Sequence, residues 1–340
     1  MTSNPHRMDA LRSFVARELP GSGGIEPASA DASFRSYWRV SATGSTYVVM
    51  DAPPGKEDIG PWLDIGARLH AAGLHTPDVL AIDRANGFVL MEDLGTRLYL
   101  PELRESTVDV LYADALDALQ KMQTRADAAG LPHFDEAFLT QELELMPEWF
   151  LRRHLGWSVE CDDWDRIELA FRTLITSARS QPQGFMHRDF HSRNLLVVDG
   201  DNPGVIDFQG AMIGPITYDL ASLLRDCYIA WDAERVEGWL ESYRQRALHV
   251  HSIDAHVDAA RFRRWFDLAG LQRHIKVLGI FCRLWYRDGK SQYLADLPLT
   301  WHYVITVARR YDELAPLADL LERALGDRDI RQPRAEITAQ

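Results

Sequence analysis

Residues 187–194 read His187-Arg188-Asp189-Phe190-His191-Ser192-Arg193-Asn194, and this stretch, taken together with the fourteen or so residues after it, decides the fold. Two apolar runs come next, Leu195-Leu196-Val197-Val198 and Val205-Ile206-Asp207-Phe208, on either side of Asp199-Gly200-Asp201-Asn202-Pro203-Gly204. Short apolar runs flanking a turn rich in Gly, Asn, Asp and Pro spell a β-hairpin. Asp189 and Asn194 then lie on one short loop at the mouth of the hairpin, and Asp207 ends the return strand. The turn is expected to bring these three oxygen-bearing side chains together.

Phosphoryl transfer asks a protein for a base or orienter beside the attacking hydroxyl, and for oxygen ligands to hold magnesium on the phosphates. Two carboxylates and an amide meet that demand. Asp189 is therefore the candidate catalytic residue, Asn194 and Asp207 are the candidate metal ligands, and ATP and Mg2+ are the expected cofactors. His187 is read as a brace for the loop through hydrogen bonds. Asp219, after Tyr218, is read as its anchor, accepting backbone hydrogen bonds from the loop. Arg193, next to Asn194, is a candidate contact to substrate or to the transferring phosphoryl group.

Working outward, residues 1–19 carry Met8, Leu11, Phe14, Val15 and Leu19 at amphipathic-helix spacing, closed by Pro20-Gly21. Phe34–Val40 and Thr46–Met50 read as a hairpin around Ser41–Ser45, residues 59–72 as a helix, and Asp78–Ile82 and Phe88–Met91 as two further strands. After Glu92-Asp93-Leu94-Gly95 the pattern turns helical, beginning with Val108, Leu111, Ala115, Leu119 and Met122 on one face. The fold class expected is α+β, bilobal and protein-kinase-like. Residues 1–92 form a small β-sheet lobe that binds nucleotide, residues 93–326 a mainly helical lobe with the catalytic loop and substrate helices, and residues 327–340 a frayed polar tail. Gly21-Ser22-Gly23-Gly24 and Asp31-Ala32-Ser33-Phe34-Arg35 are expected over the triphosphate, and Met91-Glu92-Asp93-Leu94 to pass between the lobes with its backbone on the adenine edge. Ser33, Phe34, Arg35, Glu92 and Leu94 are the candidate cofactor contacts.

The 340 residues, 46% of them apolar, suffice for two lobes. A formal charge of -13 argues against non-specific binding to nucleic acid or anionic lipid. No stretch approaches the ~20 apolar residues of a membrane helix, and the first residues lack the apolar core of a signal peptide, so a cytoplasmic protein is expected. Cys161, Cys227 and Cys282 have no spacing that suggests zinc or a disulfide framework and are read as reduced structural thiols. Nothing in the sequence speaks to oligomeric state.

The His187–Asn194 loop, with Asp207 after its hairpin, resembles the signature of the aminoglycoside phosphotransferase/choline kinase superfamily. Further phrases are similar to the bacterial anomeric kinases of N-acetylmuramate and N-acetylglucosamine, over about residues 8–325: Asp31–Arg35, Met50-Asp51-Ala52-Pro53-Pro54, Asp207-Phe208-Gln209 with Gly214–Leu220, and Gly270–Gly279. The resemblance implies phosphorylation of the sugar's C1 hydroxyl during peptidoglycan recycling, in a Gram-negative cytoplasm. It also exposes a departure. Tyr47-Val48-Val49-Met50-Asp51 has no lysine where most relatives place one against the phosphates. Lys56 is the only lysine in the first 120 residues, so Lys56, Arg35 or Arg39 must substitute, or magnesium and backbone donors alone; Arg35 is favoured for its fork of donors.

The lactyl carboxylate of N-acetylmuramate calls for arginine in its pocket, whereas an aminoglycoside or choline calls for acids or aromatics. Arg225, Arg273, His274, Lys276, Arg283 and Arg287 make a locally basic stretch, with Trp231 and Trp285 to stack on a sugar. Arg193, Arg225, Arg273 and Lys276 are the candidate substrate contacts, weighed against a solvated helix side. Two alternatives stand beside this reading: an aminoglycoside or choline-type kinase of the same fold, and a nucleotide-binding pseudokinase scaffold. The missing lysine fits the scaffold, and retention of Asp189, Asn194 and Asp207 argues against it.

Overall fold

Short runs of apolar, β-branched and aromatic residues build the five-stranded sheet near the start of the chain. The computed structural model describes residues 5–30, 34–42 and 44–334. These divide into two units: residues up to Met122 with Arg193–Gly210, and Gln123–Ser192 with residues from Ala211 on.

In the first unit, β1 (Ile25–Ala30), β2 (Ser36–Ala42), β3 (Ser45–Asp51), β4 (Val79–Asp83) and β5 (Phe88–Glu92) pair antiparallel in the order β1-β2-β3-β5-β4. Val40, Val49, Phe88 and Leu90 point to one face and pack under Leu11, Phe14 and Val15 of helix α1 (Pro5–Glu18). Phe14 and Phe88 meet at 5.7 Å between ring centres, and each such fully buried side chain contributes about 1.5–3 kcal/mol. Arg7 ties the same helix to Asp51 at 2.6 Å. The register sets Arg39 opposite Val48 and Val48 opposite Met91, which turns these three to the other face. Helix α2 (Gly60–Ala71) buries Trp62, Ile65 and Leu69. Gly87 closes the β4–β5 turn at φ +69°, where a Cβ would lie 1.9 Å from the Ala52 carbonyl oxygen, so only glycine fits.

Two differences from expectation have local causes. The sequence reading has no strand at β1, because Pro27 and three small residues give it no strand signature; it forms as an edge strand with an irregularity at Pro27, the place where a sheet tolerates proline. The later hairpin is shorter than its apolar runs suggest: β7 pairs only Leu195–Leu196 and β8 only Gly204–Val205. Its outer backbone groups bond elsewhere in the first unit, Val197 N–H to the Arg97 carbonyl at 2.7 Å and Val205 N–H to that of His75 at 2.8 Å. The short helix α3 (Tyr99–Glu102) and the amphipathic α4 (Val108–Arg125) follow the sheet in the chain.

The second unit is mainly helical: α5 (Glu136–Leu143), a π-helical turn Met146–Leu155, α6 (Cys161–Ser180), α7 (Tyr218–Leu224), α8 (Ala233–His249), α9 (Ala259–Tyr286), α10 (Leu297–Arg310) and α11 (Ala315–Leu325). A two-stranded ribbon joins β6 (Gln183–Met186) to β9 (Met212–Pro215). Helix α9 is the hub, buried without interruption from Trp265 to Gly279. Gly279 permits this, since a Cβ there would lie 2.4 Å from the backbone of Leu145. A helix buried on all sides cannot offer a solvated face, so Arg273 and Lys276 are interior charges. Within the expected tail, residues 327–334 are described, and the Ile330 carbonyl there lies 2.6 Å from Nε2 of buried His154; residues 335–340 are outside the described residues. No helix among the described residues is long and apolar enough to cross a membrane.

Candidate functional site

Strand β6 delivers the chain into His187–Ser192, and two buried carboxylates hold that loop at its ends. Asp219, in the first turn of α7, accepts from His187 N–H at 2.7 Å and Arg188 N–H at 2.9 Å. Asp226, just beyond α7, accepts from Ser192 N–H at 2.9 Å and from its hydroxyl at 2.5 Å. Both aspartates are 1% exposed. His187 is wholly buried, accepts from Asp189 N–H at 3.3 Å and sets its ring edge-on to Phe190, so it braces the loop as read from the sequence. Asp219 was legible as the anchor; Asp226 was not. The signal existed: two acids seven residues apart, two helical turns, in the mostly apolar run Tyr218–Cys227, whose only other polar residues are Ser222 and Arg225.

Among the described residues only Arg188, Asp207 and His251 are non-glycine residues at positive φ, at 78°, 62° and 58°. Such conformations cost of order 1–3 kcal/mol and persist where surroundings enforce them. At Arg188 the enforcement is visible: its amide is held by Asp219 and its guanidinium donates to Glu142 of α5 at 2.8 Å.

Glu142, also missed in the sequence, organises the charge behind the loop. It is 6% exposed, and besides Arg188 it takes Lys276 Nζ at 2.9 Å and the Gln272 amide at 3.2 Å. Arg273 donates to the Cys227 sulfur at 3.0 Å. Burial raises the Asp189 acid, but Lys276, His191, Arg273 and Arg188 outweigh it and hold it down at about 2. Burial pushes Asp219 up to about 7, against the two amide donors that favour its charged form.

The sequence candidates therefore separate. Arg273 and Lys276 act on Asp189, while Arg225 turns to fully buried Asp267 at 2.7 Å and lies over the Phe266 ring at 4.5 Å. Asp267 also accepts from Arg310 and from the Tyr311 hydroxyl, each at 2.8 Å, which makes that end of Arg225 part of a buried structural cluster.

The other candidates lie in the first unit. A cavity of about 430 Å³ is walled by Val48 and Met91 of the sheet face, Trp62 of α2, Leu94 of the link, and Asn194 and Asp207. Arg39, Glu92 and Arg193 also reach it. Asn194 Nδ2 donates to Asp207 Oδ2 at 3.4 Å, Gln209 to Asp207 Oδ1 at 2.8 Å, and Arg35 Nη2 stands 3.8 Å from Asp207 Oδ1. The Glu92 carboxylate is taken by His75 at 3.1 Å and the Asp78 amide at 3.3 Å, which leaves the link's backbone rather than that side chain for a ligand. Phe34 is half exposed beneath Lys56, and Ser33 lies outside the described residues. A larger cavity of about 660 Å³ beside α5 and α6, walled by Trp164, Glu168 and Arg172, contains none of these candidates.

No group of three or more His, Cys, Asp or Glu among the described residues is placed to hold a metal by itself. One carboxylate and one amide oxygen, at Asp207 and Asn194, suit magnesium, which keeps waters and takes substrate phosphates as its remaining ligands.

The chain is 43% identical over 316 residues to the N-acetylmuramate/N-acetylglucosamine kinase of Pseudomonas putida, covering 92% of this chain and 91% of that one. It is 45% identical over 296 residues to the enzyme of the same name from Pseudomonas aeruginosa, 87% of each chain. Among solved structures, ADP-bound aminoglycoside phosphotransferase APH(2'')-Ib superposes with a TM-score of 0.58 at 16% identity, over 87% of this chain and 97% of that one, which shows the shared α+β fold. The model of the phosphotransferase enzyme family matches residues 24–268, more than half of the chain, and with the relatives along nearly its whole length it shows that the chain belongs to that family.

Proposed function

We propose that this protein is an ATP-dependent sugar kinase that phosphorylates the anomeric C1 hydroxyl of N-acetylmuramate and N-acetylglucosamine, in the cytoplasm, for cell-wall recycling. The observation that carries the reading is the near full-length identity to two kinases of these sugars. The pinned loop is its physical counterpart: a carboxylate kept ionised and held in place by buried partners is what an attacking hydroxyl requires.

In this reading residues 1–92 bind nucleotide, with Phe34, Arg35 and the Glu92–Leu94 backbone as contacts, and residues 93–326 bind sugar. The sugar's C1 oxygen forms a bond to the γ-phosphorus as the bond to the β-phosphate oxygen breaks, and the hydroxyl proton passes to Asp189. With its acid held near 2, Asp189 is a weak base toward a resting alcohol. It orients the hydroxyl and takes the proton only as phosphorus–oxygen bonding makes that proton acidic. Asn194 and Asp207 would hold magnesium, which supplies charge neutralisation at the phosphates. Arg273 and Lys276, the cations acting on Asp189, favour a sugar bearing a carboxylate. Arg225, committed to Asp267, is a weaker contact candidate, and Arg193 serves substrate or phosphoryl group.

The test is phosphorus NMR on the purified protein with MgATP and, separately, N-acetylmuramate, N-acetylglucosamine, kanamycin and choline. The expected product shows phosphorus coupled to the anomeric proton, and Asp189→Asn lowers turnover by ~10²–10⁴ while nucleotide binding persists. Phosphate on kanamycin or choline alone would replace the substrate assignment, and no transfer would leave a nucleotide-binding scaffold.

A further inference from the structure

Helix α9 is closed in on every side from Trp265 to Gly279, and after Gly279 one face of it opens to solvent. That face continues a single stripe. Arg273, Lys276, Ile280, Arg283 and Arg287 follow one another at spacings of three, four, three and four residues, which stacks them along one side of the helix. Exposure rises along it: Arg273 and Lys276 are 4% and 7% exposed, Ile280 and Arg283 are half-buried, and Arg287 is exposed. The buried end of the stripe is the end that acts on Asp189.

We propose that Arg283 binds the lactyl carboxylate of N-acetylmuramate and so sets the preference between the two amino sugars. The inference rests on the sugar-kinase reading above and deepens it.

The cations of the stripe differ in what they hold. Lys276 Nζ lies 2.9 Å from the Glu142 carboxylate and Arg273 donates to the Cys227 sulfur, both in the interior. Arg287 forms a fork on Asp288 at 2.7 and 2.8 Å. The Arg283 Nε is buried with no hydrogen-bond partner, and among the described residues its guanidinium has no ion-pair partner. Burial and the neighbouring Arg287 push its pKa down, against the pull of Asp288. A partly desolvated cation without a counter-ion is costly to keep and gains when an anion arrives. A carboxylate is the anion whose two oxygens match the guanidinium fork.

The spacing suits this sugar. Arg283 follows Lys276 by two turns, about 10 Å along the axis. A sugar with its C1 hydroxyl at Asp189 lies along the stripe, with Ile280 as an apolar floor and the lactyl arm at C3 directed toward Arg283. N-acetylglucosamine has a hydroxyl at C3 and offers the charge only a neutral acceptor.

The test is kcat/KM for the two sugars with MgATP, read as the ratio of N-acetylmuramate to N-acetylglucosamine so that a general loss of fold or catalysis cancels. Arg283→Gln is expected to lower that ratio by about 10- to 100-fold, the range for losing a charge-assisted hydrogen bond, chiefly through KM. Arg283→Lys, which keeps the charge but not the fork, is expected to recover part of the loss. Arg287→Gln, one turn further on, is expected to leave the ratio as it is. With native protein, the methyl ester of N-acetylmuramate is expected to fall short of the acid by a similar factor, a readout that needs no variant. A ratio unchanged in Arg283→Gln, a ratio lowered as much in Arg287→Gln, or an ester as good as the acid overturns the assignment. So does native protein that phosphorylates N-acetylglucosamine alone. Native protein that phosphorylates neither sugar would instead overturn the kinase reading itself.

Discussion

The loop His187–Ser192 is tied at each end to a carboxylate 1% exposed, and a third buried carboxylate, Glu142, stands behind it. The link Glu92–Gly95 in the first unit is tied by one arginine fork, whose Arg39 is 28% exposed. The loop bears Asp189, the proposed catalytic carboxylate, and is positioned by polar groups whose loss is costly in a dry interior. The link, whose backbone is proposed to meet the nucleotide, needs only one ion pair, in which Arg39 remains partly exposed while Asp93 is buried, and the sheet beneath it. Cost of disruption should therefore differ sharply between the two regions.

Asp219→Ala is the strongest way to break that comparison. It leaves the amides of His187 and Arg188 without their acceptor, at about 1–3 kcal/mol each, and frees Arg188 from its strained backbone. Denaturant unfolding should show that loss, and turnover should fall by at least ~10²-fold as Asp189 loses its position. Glu142→Gln comes next. Breaking a buried pair costs about 3–5 kcal/mol, and here Arg188 and Lys276 both lose their carboxylate, so the thermal midpoint should drop clearly. Asp93→Asn should cost only about 1 kcal/mol and raise the KM for ATP severalfold with kcat little changed. A loss as large as that of Glu142→Gln would erase the contrast.

The smallest expected effect is one of pH. The Asp189 acid is depressed to about 2, below its unfolded value of about 3.9. Its stabilising charge is complete above the unfolded value and is lost only as pH falls through about 2. A profile of kcat between pH 5 and 8 should show no acid limb from Asp189. A limb that vanishes in Asp189→Asn would mean that the surrounding cations do not hold the carboxylate as described.

How much of this was readable in one dimension depends on which interactions are local. The strands β2, β3, β4 and β5 were legible because each is a short apolar or aromatic run of five to seven residues bounded by turn residues. The approach of Asn194 to Asp207 and the anchoring of the loop by Asp219 were legible because their spacing falls within one loop, one hairpin and the turn after it. Strand β1 was not, since its residues lack strand propensity and form a strand only because β2 offers an edge. Glu142 was not, because nothing in Thr140-Gln141-Glu142-Leu143 distinguishes it from the solvated acids around it.

Strands β2 to β5, the loop that bears Asp189 and the absence of a lysine from β3 are properties of neighbouring residues, and the amino-acid order was enough to set them. Which charges face which was settled in three dimensions. Arg188 meets Glu142 across 46 residues, Arg225 meets Asp267 across 42, and Arg35 meets Asp207 across 172. Pairings at such separations depend on packing that burial and chain closure select jointly, and no local pattern encodes them.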